Sequence, residues 1–347
     1  MSAVTIKDIA EAANVSYSTV SRALNHKYGV NSATRERVLE VARRLRYSPN
    51  AVAQGLVNRR TATIGLVLPD VTNPFFPEIA AGVELAAEQL DMGVFLCNTN
   101  WAEEREHKYL DLLARRRVDG IIISPISDAA ERTADAELAD TPVVYVSNAP
   151  KPTRHRFVII DDVRGGYIAT RHLLDQGYES VGFIGAVSGS VTVSDRLEGY
   201  RRALLEANRP FDEGLVRLSD FRQKTGYDVV RSLVKEGRCP RAVFAENDII
   251  ALGVLQGARE LGVRVPEELA VIGFDDVPMA GFDDVALSTV RQPKREMGQL
   301  AVELLMEEIE RIEGKASGDR KGESACDRGA GTILEPELVV RRTSVCG

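Results

Sequence analysis

The chain has 347 residues, enough for two or more domains with a sizeable core. Its formal net charge of −7 is uneven: residues 1–60 hold ten Lys/Arg against four Asp/Glu, +6, which leaves −13 for the rest. A basic arm on an acidic body confines nucleic-acid contact to the arm, and no run nears the roughly 18 apolar residues of a membrane span.

Residues 5–25 predict two short helices with a tight break. Thr5 caps the first, Asp8 answers it at the third helical position, and Val4 and Ile9 stand at staple spacing. Ile6, Ile9, Ala10 and Ala13 fall at i, i+3, i+4, i+7, one apolar stripe. Asn14-Val15-Ser16 breaks the helix. Ser16 caps the next, and Val15 and Val20 repeat the staple. On this second helix Val20, Ala23 and Leu24 face inward, while Tyr17, Ser18, Ser21, Arg22 and Asn25 face outward. Such a face is either a solvated polar surface or a reader of base edges and phosphates in a major groove. A third helix starts at Ser32, with Val38, Val41, Ala42 and Leu45 as its buried stripe. Ser48 as cap and Pro49 at the first helical position then open a fourth, short helix. Gly55 weakens it by about 1 kcal/mol relative to Ala. It needs a partner, protein or DNA, to become ordered.

Three runs carry a resemblance: Thr5-Ile6-Lys7-Asp8-Ile9-Ala10, Val15-Ser16-Tyr17-Ser18-Thr19-Val20-Ser21-Arg22, and Tyr47-Ser48-Pro49-Asn50-Ala51-Val52-Ala53-Gln54-Gly55-Leu56. Through them residues 5–57 resemble the headpiece and hinge helix of the LacI/GalR family of bacterial transcription regulators. The resemblance implies that Tyr17, Ser18 and Arg22 read the major groove, and that Ser16, Thr19, Ser21, Asn25 and Ser32 mostly hold phosphates. Thr5, Tyr47, Asn50 and Ala53 complete the expected DNA-facing set. In that family paired hinge helices enter the minor groove, where a leucine at the place of Leu56 wedges into the central base step.

After the polar linker 58–63 the pattern turns to strand, helix, strand. Apolar runs stand at Ile64–Leu68, Val94–Cys97, Ile121–Ile123, Val143–Val146, Val158–Ile160, Val181–Ile184, Leu215–Leu218, Val243–Ala245 and Val271–Phe274. Helical segments lie between most of them, at Ile79–Leu90, Glu103–Arg116, Gly166–Leu174, Arg196–Ala207 and Ile249–Leu261. Short β-rich runs alternating with helices predict parallel sheets covered on both faces, too many strands for one sheet. The body resembles the periplasmic binding protein type 1 fold used by the same family. That implies two lobes around a ligand cleft, with crossovers near Asp161-Asp162, Leu287–Gln292 and 316–331. The expected division is a helix-turn-helix headpiece over 1–47, hinge and linker over 48–61, and an α/β core over 62–340. Within the core, one lobe takes about 62–161 and 292–318, the other about 162–288 and 330–340. Thr332–Val340 is expected as one final strand.

Ligands of open α/β sheets bind beyond the carboxyl ends of strands. Asn73, Phe75 and Phe76 follow the first strand; the two aromatics suit either core packing or stacking on a sugar ring. Polar groups stand at other strand ends: Ser147 and Asn148, Thr192 and Arg196, Asn247, and Asp275, with Phe221 after another strand and Gln292 on a crossover. The resemblance to sugar-sensing relatives implies that Arg196 and Asp275 bind hydroxyls and that Phe76 and Phe221 stack on the ring. Where relatives often carry Asp-Arg, this chain has Ser147-Asn148, a departure that puts ribose itself in doubt.

No His-Glu-x-x-His, Gly-x-Ser-x-Gly or Walker A pattern occurs, which argues against an enzyme. Cys97, Cys239, Cys326 and Cys346 show no paired spacing, and the N-terminus lacks an apolar signal core. A cytoplasmic protein without metal or cofactor is therefore expected. The reading is a homodimeric repressor of near-palindromic double-stranded DNA, released by a sugar effector, a ribose-like pentose or a hexose. Its dimer contacts would include the Glu103–Arg117 helix. A nucleoside, purine or phosphorylated corepressor is the alternative effector. A sugar receptor without gene regulation is the alternative class, against which the basic headpiece speaks.

Overall fold

The computed structural model describes residues 4–24, 28–47, 60–127, 130–131, 134, 138, 141–186, 191–316 and 331–345. Asn25, Asn50, Ala53, Leu56 and the expected hinge helix lie outside these. Two compact units emerge, Met1–Thr61 and Ala62–Gly347.

The first unit is three helices: α1 Ile6–Ala12, α2 Tyr17–Leu24 and α3 Ser32–Arg44. Ile9, Ala13, Val20, Ala23, Val38, Val41 and Ala42 form its core, with Ile6, Ala10, Val15, Leu24, Leu45 and Tyr47 packed around them. The stripes expected from periodicity are thus the buried ones. Asp8 Oδ2 accepts from both the Thr5 N–H (2.7 Å) and the Thr5 hydroxyl (2.8 Å). Ser16 Oγ accepts from the Thr19 N–H at 3.1 Å, which caps α2. The cap of α3 is Asn31, one residue before the expected start, whose Oδ1 accepts from the Thr34 N–H at 2.8 Å.

The second unit holds two all-parallel sheets. The larger runs β11-β5-β4-β3-β1-β2, from β1 Thr63–Leu68, β2 Gly93–Asn98, β3 Gly120–Ile123, β4 Val143–Val146, β5 Arg156–Ile160 and β11 Thr332–Leu334. The smaller runs β7-β6-β8-β9, from β6 Val181–Ala186, β7 Val216–Ser219, β8 Ala242–Ala245 and β9 Ala270–Ile272. Near-continuous apolar runs such as Ile64 to Leu68 suit strands covered on both faces. Helices α4 Phe75–Gln89, α5 Glu103–Arg116 and α10 Lys294–Ala316 flank the first sheet. Helices α6 Asp162–Asp175, α7 Val191–Glu206, α8 Gln223–Lys235 and α9 Asp248–Glu260 flank the second.

Three expectations need correction. Residues 332–340 form two strands, not one: β11 joins β5 in the first sheet, and β12, Glu337–Val339, pairs antiparallel with β10, Thr289–Arg291. Pro336 between them cannot donate to a ladder, so the strand stops there. The last passage between lobes is therefore at Glu335-Pro336 and not at 316–331, and β11 belongs with the first lobe. Finally, α4, α6 and α7 begin four or five residues earlier than the apolar periodicity suggested. Their first turns hold at most isolated valines among polar, aromatic, proline or glycine residues, so periodicity does not register them. As a result Thr192, expected ahead of the helix that starts at Arg196, stands on that helix with it.

A candidate DNA-facing helix and an interlobe cleft

On the first unit, α2 turns Tyr17 (58% exposed), Ser18 and Arg22 to solvent, with Ser21 half-buried. Ser16 Oγ links Ser18 Oγ and Thr19 Oγ1, each at 2.8 Å, which fixes hydroxyls at the start of the helix. Thr5 and Ser32 stand exposed at the starts of α1 and α3. Burial, with the neighbouring Tyr17, pushes the Tyr47 phenol up, so Tyr47 belongs to the same side of the unit as Tyr17. All nine described residues of the expected DNA-facing set are thus at helix starts, on the outer face of α2, or beside it. Orphan N–H groups and hydroxyls at helix starts suit phosphate oxygens.

In the second unit the strand ends converge on one cleft, about 520 Å³ including its open mouth. Every residue expected there lines it. From the first lobe come Asn73, Phe75, Phe76, Ser147 and Asn148. From the second come Thr192, Arg196, Phe221, Asn247 and Asp275, and Gln292 arrives on a crossover. Phe75 and Phe76 are also core residues, 6% and 5% exposed, so the pair packs in the core and lines the cleft at once. Asn73 Oδ1 accepts from the Phe75 N–H at 3.1 Å and starts α4. Asn148 Nδ2 donates to the Pro125 carbonyl at 3.2 Å. Asn247 Oδ1 accepts from the Ile250 N–H at 2.8 Å and caps α9.

Charge is concentrated around Arg196. Its Nε donates to Asp162 Oδ1 (2.7 Å), its Nη1 to the Glu246 carbonyl (2.6 Å), and its guanidinium carbon lies 3.7 Å from the centre of the Phe274 ring. The α6–α7 crossing permits this approach because it is glycine on both sides. A Cβ on Gly199 would lie 2.0 Å from the Val163 carbonyl oxygen, and one on Gly166 2.2 Å from that of Arg196. Asp275 Oδ1 accepts from Gln292 Nε2 at 2.7 Å, and Lys294 Nζ donates to the Asp275 carbonyl. Burial pushes Asp162 and Asp275 up to about 6 and Glu246 up to about 7, in each case against the pull of Arg196. Trp101, Ser147 and Asp275 hold φ of +59°, +65° and +112°. Non-glycine residues rarely sit there, and such backbone gathers at ligand sites.

Five lining residues escaped the sequence reading: Pro69, Trp101, Ser124, Pro125 and Glu246. Trp101 stacks on Phe221 across the cleft, ring centroids 4.3 Å apart at 13°, and meets Phe76 edge-on at 6.2 Å. The Phe221 face expected to receive a sugar ring is thus covered by Trp101. Both Trp101 and Ser124 follow strand ends, so the rule that found the others would have reached them. Glu246 directly precedes Asn247 and had the same signal.

The match to family models divides the chain where the structure does. Residues 5–50 match "Bacterial regulatory proteins, lacI family", and residues 61–325 match "Periplasmic binding proteins and sugar binding domain of LacI family". The chain is 36% identical to the HTH-type transcriptional regulator DegA of Bacillus subtilis over 344 residues, 98% of each chain. A solved transcriptional regulator CelR–cellobiose complex is similar at TM-score 0.71 and 31% identity, over 98% of this chain and 99% of that one. The lac repressor dimer bound to operator and an anti-inducer is similar at TM-score 0.85 and 26% identity, over 99% of this chain and 100% of that one.

Proposed function

From the premise that this chain belongs to the LacI family of bacterial regulatory proteins, we propose that it is a transcription repressor, binding near-palindromic DNA as a homodimer and releasing it when a small sugar enters the cleft. The observation that carries the effector half is convergence: eleven residues from five strand-end segments, two helices and a crossover meet in one cavity. Hydroxyl-binding partners (Arg196, Asp275, Asn247, Gln292) and aromatic walls (Phe76, Trp101, Phe221) are what a polyol with one C–H face requires. The DNA half rests on the outer face of α2 and the +6 charge of residues 1–60. A second copy of the chain is supported by apolar side chains left in solvent on the first lobe. Leu85, Leu90, Phe95, Leu96 and Leu112 are all exposed, and Phe95 and Leu96 lie on β2, an edge strand.

In this reading the ligand draws the lobes together and shifts the first lobe, to which the segment 48–61 is attached in sequence. The coupling is of order 1–3 kcal/mol, the usual size for linked sites. The test is affinity for a near-palindromic duplex selected from genomic fragments, titrated with a sugar panel. Arg22→Ala lowers specific affinity at least tenfold and leaves sugar binding alone. Unchanged affinity on every duplex removes the DNA half; a sugar that binds without loosening DNA removes the inducer.

A further inference from the structure

The cleft carries a charge imbalance that sugar binding as such does not require. Glu246 directly follows β8 in the cleft wall and is 1% exposed. Among the described residues a single donor reaches its carboxylate, the Ala186 N–H, 3.2 Å from Oε2. A carboxylate offers about four acceptor positions, and burying them unfilled costs desolvation. Room for the group is built in: a Cβ on Gly185 would stand 3.0 Å from Oε2. The nearest cation is engaged elsewhere, since Arg196 donates to Asp162 and to the Glu246 main chain. Lys294 is turned to the carbonyls of Asp275 and Asp276. Asp275 adds a second lining carboxylate, and the first-lobe residues of the wall carry no charge at all.

Resting on the sugar reading, we infer that Glu246 is the specificity-determining residue of the cleft: it accepts a hydroxyl or ammonium donor from the ligand and excludes sugars that carry a phosphate or carboxylate. A neutral or amino sugar brings the donors that Glu246 lacks. An anionic one brings a like charge beside Glu246 and Asp275 where water is largely excluded, and like charges cost most there. The phosphorylated-corepressor alternative is disfavoured on the same ground.

The test is calorimetric titration of the full chain with matched sets: glucose, glucosamine, glucuronate and glucose 6-phosphate; ribose and ribose 5-phosphate; cellobiose and cellobionate. The wild type binds a neutral or amino member at least 100-fold more tightly than its anionic counterparts. Glu246→Gln loses at least tenfold on that member, and its discrimination falls below tenfold. Glu246→Asp, which keeps the charge but moves it by one methylene, weakens binding and keeps the discrimination; it also serves if Glu246→Gln does not fold. Preference for an anionic sugar, or a Glu246→Gln protein with affinity and discrimination intact, overturns this inference alone. Silence of the whole panel overturns the sugar reading and this inference together.

Discussion

The two walls of the cleft are built from opposite chemistry. The first lobe supplies Asn73, Phe75, Phe76, Trp101, Ser124, Ser147 and Asn148, none of them charged. The second supplies Arg196, Glu246 and Asp275, backed by Asp162, which together are four buried ionisable groups. Within that wall the Arg196–Asp162 pair must be organised before ligand arrives, because an unpaired buried ion costs several kcal/mol. A neutral wall has no such need and is free to close late. The second lobe thus carries the ionic half of the site, and the first its neutral half.

The most direct way to break this asymmetry is Arg196→Ala. It leaves Asp162 buried at the start of α6 without its cation. Removing one partner of a buried pair costs about 3–5 kcal/mol. The melting temperature at pH 7 should drop by many degrees, and the loss should shrink at pH 5, where Asp162, Asp275 and Glu246 take up protons. An equal loss at both pH values would show that packing of Arg196 on Phe274, and not its charge, is what the second wall depends on.

Much of this site was legible because position at a strand end is a property of sequence order. Asn73, Ser147, Asn247 and Asp275 follow apolar runs, and the fold brings such ends together wherever parallel strands share a sheet. The headpiece was legible for a different reason, since caps and i, i+3, i+4 stripes are local. What sequence order does not show is which neighbours a side chain meets across the cleft. The Trp101–Phe221 stack joins residues 120 positions apart, from two lobes. The Gly166–Gly199 crossing was invisible for the same reason. The one-strand reading of 332–340 failed because its two halves belong to different sheets, a fact set by Pro336 and by tertiary pairing together.

The charged wall should also dominate the pH dependence of stability. Asp162, Glu246 and Asp275 stand at about 6, about 7 and about 6 in the folded chain, above their ordinary 3.8, 4.5 and 3.8. The folded state therefore binds more protons than the unfolded one. Their contribution is complete below pH 4 and is lost as pH rises through 6 to 7. Glu246→Gln removes one such group. Its unfolding free energy should gain on the wild type by about 1–3 kcal/mol between pH 5 and pH 8, as one pKa unit corresponds to about 1.4 kcal/mol. Parallel curves for the two proteins by chemical denaturation would mean that Glu246 does not titrate in this range. Gly199→Ala should cost about 1–3 kcal/mol at every pH, because its methyl meets backbone and forces α6 and α7 apart.

The smallest effect belongs to the neutral wall and is also the easiest to read. Trp101 is the chain's single tryptophan, and it faces Phe221 across the cleft. An aromatic pair of this kind contributes about 0.5–1.5 kcal/mol beyond its buried area, so the coupling between Trp101→Ala and Phe221→Ala in a double-mutant cycle of unfolding free energy should be of that size. Ligand binding should suffer more than stability, since both residues of this pair line the cleft. Intrinsic fluorescence follows it without a label. In Phe221→Ala the indole loses its stacking partner and becomes more exposed to water, so its emission should move to longer wavelength in the free protein and recover on saturation with the sugar that binds. If wild type and Phe221→Ala emit alike, free and bound, the stack is not maintained in solution.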